Sequence, residues 1–123
     1  MKQKVHSVSY LAKAEFKFKV GTYDLVALPA GAEVVKLSLE VVGDINDGSL
    51  GLGFKSEAES SYFLSLNASS FNNKDDKTVT LARDYTITSN KVIVAEVKNA
   101  NNNDTKGVLR VLYFLPSVIE VEY

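Results

Sequence analysis

The clearest alternation of apolar and polar residues in the chain lies in the stretch from Tyr23 to Val42. In its second part every other residue is apolar, which is the period of two that marks a strand with one buried face. The expected buried positions are Val35, Leu37, Leu39 and Val41. A helix through Val34, Leu37 and Val41 also fits the periodicity, but the β-branched valines and the flanking glycines favour a strand.

The two apolar runs of this stretch meet at Pro29-Ala30-Gly31-Ala32. Pro29 has no backbone donor and a fixed φ, and Gly31 can adopt a positive φ, so the junction is predicted to be a turn. We expect the two runs to form the central antiparallel pair of an all-β domain.

Shorter runs of the same type recur along the chain. Phe16, Phe18 and Val20 indicate a half-buried strand that ends at Gly21. The segment 44–48 ends in Asp-Gly and is the strongest hairpin signal. Other predicted strands cover 50–54, 62–66, 78–81, 85–88, 91–97 and 107–115, with weaker candidates at 5–10 and 118–121. A bulge or a corner is expected at 83–84, and polar loops are expected at 68–77 and 99–106.

About nine or ten short strands without a convincing helix predict an antiparallel β-sandwich of jelly-roll-like topology, with an immunoglobulin-like sandwich as the alternative. The 123 residues, 46% of them hydrophobic, suit a single domain over residues 1–123. Residues 1–12 are an N-terminal arm in one interpretation and an edge strand in the other.

Charge and composition narrow the function classes. The net charge of −1 gives no basic field of the kind that binds nucleic acid, and the absence of cysteine excludes thiol catalysis. No run reaches the about 18–20 apolar residues that span a bilayer, so no membrane partner is expected. Residues 1–20 nevertheless carry +4 and the remainder −5. These lysines either protect edge strands from aggregation or attract an acidic partner.

Candidate catalytic and metal-binding patterns are weak. His6 is the single histidine, and no nucleophile motif accompanies it. The segment from Asp44 fails the calcium-loop pattern, because Ser49 and Lys55 stand where glycine and glutamate are required. Glu57 and Glu59 are the nearest carboxylate pair, in an expected loop. We therefore expect no enzyme, no cofactor and no bound metal.

Residues 23–35, YDLVALPAGAEVV, resemble a strand, turn and valine-rich strand found in small structural proteins of tailed bacteriophages. Ser49–Phe54 and Tyr62–Leu64 are similar to later strands of those proteins, so the resemblance covers residues 20–66. It implies a virion component, either a capsid decoration (cement) protein or a head-fibre module. Such a β-sandwich, often trimeric, binds the major capsid protein on the capsid exterior after synthesis in the cytoplasm of the host bacterium.

A contact protein of this type needs interfaces rather than a catalytic site. The candidate contact residues are Val5, Val8, Tyr10, Gly51, Gly53, Val118, Ile119, Val121 and Tyr123. Gly51 and Gly53 would permit close approach of a subunit. The alternative interpretation is that the terminal residues complete the sandwich as edge strands.

A ligand-binding module is the competing class, such as a carbohydrate-binding or receptor-binding sandwich of a phage fibre or tail. It would display aromatic side chains on a concave face. The tyrosines that bear on it are Tyr10, Tyr23, Tyr62, Tyr85, Tyr113 and Tyr123. Most lie in predicted strands, which favours packing in the core or at an interface.

Overall fold

A computed structural model of the chain describes residues 2–6, 8–43, 47–55, 63–67, 78–115 and 118–122, with the backbone alone at 2, 4, 83, 101–103 and 118–122. The strands are β1 (Lys2–His6), β2 (Ser9–Leu28), β3 (Glu33–Val42), β4 (Ser49–Phe54), β5 (Leu64–Asn67), β6 (Thr78–Thr86), β7 (Lys91–Phe114) and β8 (Val118–Glu122). All pairings between them are antiparallel, and the described residues contain no helix. The predicted all-β, sandwich-type fold is confirmed.

Two long strands organise the molecule. β2 and β7 pair along most of their lengths, from Ser9 opposite Phe114 to Leu28 opposite Lys91. The other edge of β7 pairs with β4 near the start of β7 and with β3 near its end. β5 extends the sheet beyond β4, and β6 extends it beyond β3. The result is one six-stranded sheet that curls on itself.

We call the part of the sheet that contains β4 and β5 the first half, and the part that contains β3 and β6 the second half. β2 and β7 run through both, and they bend where the halves meet. Asn99 has a φ of 56°, and the register between β2 and β7 shifts on both sides of Lys19. The predicted loop at 99–106 is therefore the bend of a continuous strand.

The prediction that a strand ends at Gly21 is wrong, because β2 continues through it to Leu28. Val20 was expected in the core and is instead 67% exposed. It lies at the register shift between Lys19 and Gly21, where the alternation of faces is interrupted. The hydroxyl of Tyr23 donates a hydrogen bond across this irregularity to the carbonyl of Lys19 at 2.8 Å.

The turn at 29–32 is present, but the predicted pairing of its flanking strands is wrong. β2 and β3 each pair with β7 and not with each other. The turn carries the chain from the first half to the second, with Gly31 at a φ of 90°. Its backbone binds the neighbouring connection: the Ala30 N–H donates to Asn90 Oδ1 at 2.9 Å, and the Ile87 N–H donates to the Ala32 carbonyl at 2.8 Å.

The hairpin expected at 44–48 is also absent, since β3 and β4 pair with different parts of β7 rather than with each other. Residues 44–46 lie outside the described residues. Asp-Gly chemistry predicts a change of direction, and it does not specify which strands pair after it.

Val34 replaces Val35 as a buried residue of β3, which corrects the predicted alternation. Val34 lies opposite Tyr113 and Lys36 lies opposite Leu112, so Val35 is an extra residue that shifts the phase. Leu37, Leu39 and Val41 are buried as predicted. The bulge expected at 83–84 is confirmed, because Tyr85 and Ala82 pair with Val34 and Lys36.

One apolar core fills the curled sheet, and aromatic residues join its halves. The ring of Phe54 on β4 lies 5.0 Å from Phe63 and 5.2 Å from Tyr85 on β6. Phe16 lies 5.3 Å from Phe18 and 5.9 Å from Tyr23, beside the bend of β2. Among the described residues the buried set is apolar except for Thr105.

Candidate contact surface

The predicted terminal contact residues come together in a separate two-stranded ribbon. Within the described residues β1 pairs only with β8, so that Val5 lies opposite Ile119 and His6 lies opposite Val118. Val121 lies opposite Gln3, and Tyr123 lies outside the described residues. The ribbon joins the main sheet near Leu115, whose carbonyl lies 3.1 Å from His6 Nδ1.

Val8 and Tyr10 lie where this ribbon meets the main sheet. The Val8 carbonyl accepts a hydrogen bond from the Leu115 N–H at 2.8 Å. Tyr10 is 51% exposed, and its ring lies 6.0 Å from that of Tyr113, its partner on β7. Both residues therefore combine a defined backbone position with exposed apolar surface.

Gly51 and Gly53 are placed elsewhere, in the first half. They pair with Glu96 and Val94 of β7, and Gly53 is buried while Gly51 is half-buried. The structure thus separates the predicted glycine surface from Tyr10, which pairs at the far end of β7. The candidates do not form a single patch.

A surface on the outside of the second half was not predicted from the sequence. Leu11 is 63% exposed and lies opposite Leu112, which in turn lies opposite Lys36 on β3. Together with Ser38 and Arg110 these residues line a groove of about 280 Å³. The signal in the sequence is the alternation of Leu11, Lys13, Glu15 and Lys17 against the buried face of β2.

We call this surface the basic face. In addition to the two leucines it carries Lys13, Glu15, Lys17, Lys36, Ser38, Glu40, Lys106 and Arg110. Arg110 donates to Glu40 Oε1 at 3.0 Å, and Lys106 Nζ lies 3.6 Å from Glu15. Lys13, Lys17 and Lys36 make no ion pair within the described chain. The five cations and two carboxylates leave a net charge of +3.

A second depression, of about 340 Å³, lies at the bend of the sheet between Glu15, Val42 and Asp104. Over the described residues, no three histidine, aspartate or glutamate side chains cluster in a way that could hold a metal ion. The part of the chain with assigned structure also contains no helix with the length and apolar character needed to cross a membrane.

An antiparallel sandwich with exposed apolar and charged surface has the features of a protein that acts through contacts. The chain is 66% identical to a chain in the acid-stable capsid structure of Helicobacter pylori bacteriophage KHP30, over 100% of both chains and with a TM-score of 0.91. It therefore belongs to the family of that capsid chain. It is a structural protein of a bacteriophage virion, as the resemblance at residues 20–66 implied.

A more distant match shows the fold alone. A chain in the capsid asymmetric unit of cyanophage Pam1 is 20% identical, with 88% of this chain and 85% of that chain covered and a TM-score of 0.67. No protein-family model matches the sequence. No curated protein matches it either.

Proposed function

We propose that this protein is a non-enzymatic capsid decoration (cement) protein, which binds the outer surface of the major capsid protein shell as a homotrimer and stabilises the shell. The observation that supports this proposal most strongly is the 66% sequence identity, over the full length of both chains, to a chain of a phage capsid. The chain is made in the cytoplasm of the host bacterium and joins the exterior of the assembled shell.

The physical basis is binding to the assembled state. A protein that binds the intact shell more tightly than the disrupted one lowers the free energy of the intact shell by mass action. A trimer strengthens this effect, because three weak contacts on one rigid body act with a high effective concentration. Neither step requires a catalytic group.

The related capsid is acid-stable, and this chain has a core suited to the same condition. Its described buried residues include no ionisable side chain. The described ion pairs, such as Arg110–Glu40 and Lys55–Asp24, are between partly exposed groups, and such pairs contribute little to stability.

The ligand-binding alternative receives less support. A sugar-stacking platform needs several exposed aromatic rings, and among the described aromatic residues only Tyr10 is exposed. Tyr23, Tyr85 and Tyr113 pack partly buried against the core. Saturable binding to glycans would restore this alternative.

Co-sedimentation with capsid shells assembled from the major capsid protein alone tests the proposal. We expect saturable binding and, by light scattering, a free or shell-bound trimer of about 40 kDa, three times the 13.5 kDa of one chain. A chain that stays in the supernatant at every concentration would contradict decoration of the shell. Binding of a monomer would contradict the trimer only.

A further inference from the structure

We propose that the basic face and the adjoining open edge of β2 bind an extended acidic segment of the capsid shell protein, which adds to β2 as a further strand. The proposal rests on the proposed function and names the surface that carries it. This surface is distinct from the predicted contact residues in the ribbon and from the glycines of β4.

The first observation is an open strand edge. Over the described residues, β2 pairs with β7 alone, so its second edge presents backbone donors and acceptors without a strand beside them. The relevant portion runs from Ser9 to Lys19 in the second half. An exposed edge of this kind is a template for an extended segment of another chain.

The second observation is the charge beside that edge. Lys13 and Lys17 lie on the exposed side of β2, and Lys36 lies on the same face of the sheet on β3, in the row of Leu11 and Leu112. None has a carboxylate partner in the described chain, whereas Arg110 and Lys106 do. Three cations without a carboxylate partner in the described chain, all on one face of the sheet, favour a partner that carries carboxylates.

The third observation is apolar surface in the groove on this face. Leu11 is 63% exposed beside Leu112, and the aliphatic stems of Lys36 and Arg110 line the groove with them. A partner strand with an apolar side chain between its carboxylates would cover Leu11. Alternating acidic and apolar residues are therefore the pattern that this surface fits.

The charges also disfavour a second copy of this chain at the same edge. A twofold pairing of β2 with β2 that is centred on Glu15 would place Lys13 opposite Lys17 and Glu15 opposite Glu15. Like charges on directly opposed strands destabilise a sheet. The geometry points to a partner of opposite charge.

The test uses two triple variants of the full chain with the same change in net charge. K13Q/K17Q/K36Q removes the unpaired cations of the basic face, and K55Q/K91Q/K98Q removes three lysines of the first half as the control. Binding to shells of the major capsid protein is measured over a range of salt concentrations. We expect the first variant to bind about tenfold more weakly than wild type and to lose most of the salt dependence.

The control variant should bind like the wild type. If the wild type fails to bind the shells, the proposed function fails. If the wild type binds and the two variants bind equally, this inference is overturned while the proposed function stands. Circular dichroism of both variants establishes that each is folded before binding is compared.

Hydrogen exchange supplies a second, independent readout. Shell binding should slow the exchange of amides in 9–19, because outward-facing N–H groups of the open edge acquire acceptors, while 22–28 of the same strand should change less. Protection confined to other strands, with 9–19 unchanged, would overturn the strand addition.

Discussion

The ring of Phe16 lies directly over Gly107, its partner on the neighbouring strand. A methyl group added to Gly107 would overlap the ring of Phe16, and Phe16 itself is only 5% exposed. The glycine therefore leaves room for an aromatic ring at the inner surface of the second half, close to the bend of the sheet. This pair explains why a glycine stands in the most apolar strand of the chain.

Gly107→Ala should lower the free energy of unfolding by about 1–3 kcal/mol, because the added methyl group overpacks the site. Chemical denaturation of the purified protein measures this change. In the double variant Phe16→Leu/Gly107→Ala the clash is relieved. Its loss of stability should therefore be smaller than the sum of the losses in the two single variants, Phe16→Leu and Gly107→Ala. Strictly additive losses would contradict the contact.

Phe54→Ala should be among the most destabilising single substitutions, at about 3–5 kcal/mol. The Phe54 ring is 3% exposed and contacts Phe63 and Tyr85, so its removal separates the two halves of the core. Tyr10→Ala is the matched control, since that ring is half exposed and should cost about 1 kcal/mol or less. Equal losses in thermal denaturation would show that Phe54 does not join the halves.

Deletion of residues 1–6 should leave the main sheet folded, because β1 pairs only with β8. Far-ultraviolet circular dichroism and the melting temperature should stay close to the wild-type values. A deletion that continues through residue 12 is expected to destabilise the protein, since Ser9 to Ala12 pair with β7. The ribbon is a proposed contact element, so the shorter deletion should weaken shell binding or trimer formation.

Unchanged shell binding and unchanged mass after deletion of residues 1–6 would rule out a contact role for Val5 and its neighbours on β1. An unfolded protein would instead show that the ribbon is part of the cooperative domain. Substitution of Val5 by Ser within the intact chain distinguishes a loss of contact from a loss of folding. It removes the apolar side chain and keeps the backbone pairing with Ile119.

The sequence pattern identifies strands well where one face stays buried over the whole strand. Leu50, Leu52 and Phe54 were expected on one face, and all three are in the core. The pattern fails where a strand changes phase, as at Val35, because a single extra residue moves the next side chains to the opposite face. Bulges of this type leave no reliable mark in the order of apolar residues.

Strand partners were the harder part to predict. The turn at Gly31 and the Asp-Gly at 47–48 suggest hairpins, yet both connect strands that pair with β7. The long-range pairing depends on the bend at Asn99, where polar residues were interpreted as a loop. The local sequence indicates a change of direction, whereas the choice of partner depends on β7, which begins only at Lys91.

The candidate contact residues also show that the sequence pattern identifies an exposed surface only in part. Tyr10 was identified and is exposed, while Leu11 was not, although it is the more exposed of the two. An apolar residue followed by Ala12 at the start of a strand gives no sign of which face it occupies. The basic face exists only in the folded chain, where Lys36 and Arg110, which are distant from Leu11 in sequence, line the same groove as Leu11.

The disruption temperature of the capsid shell, measured by light scattering with increasing amounts of added protein, tests directly whether this protein acts as a cement protein. We predict that shells of the major capsid protein withstand higher temperatures as the protein is added, and that the effect saturates when their binding sites are filled. A disruption temperature that is the same with and without saturating protein would contradict the cement function.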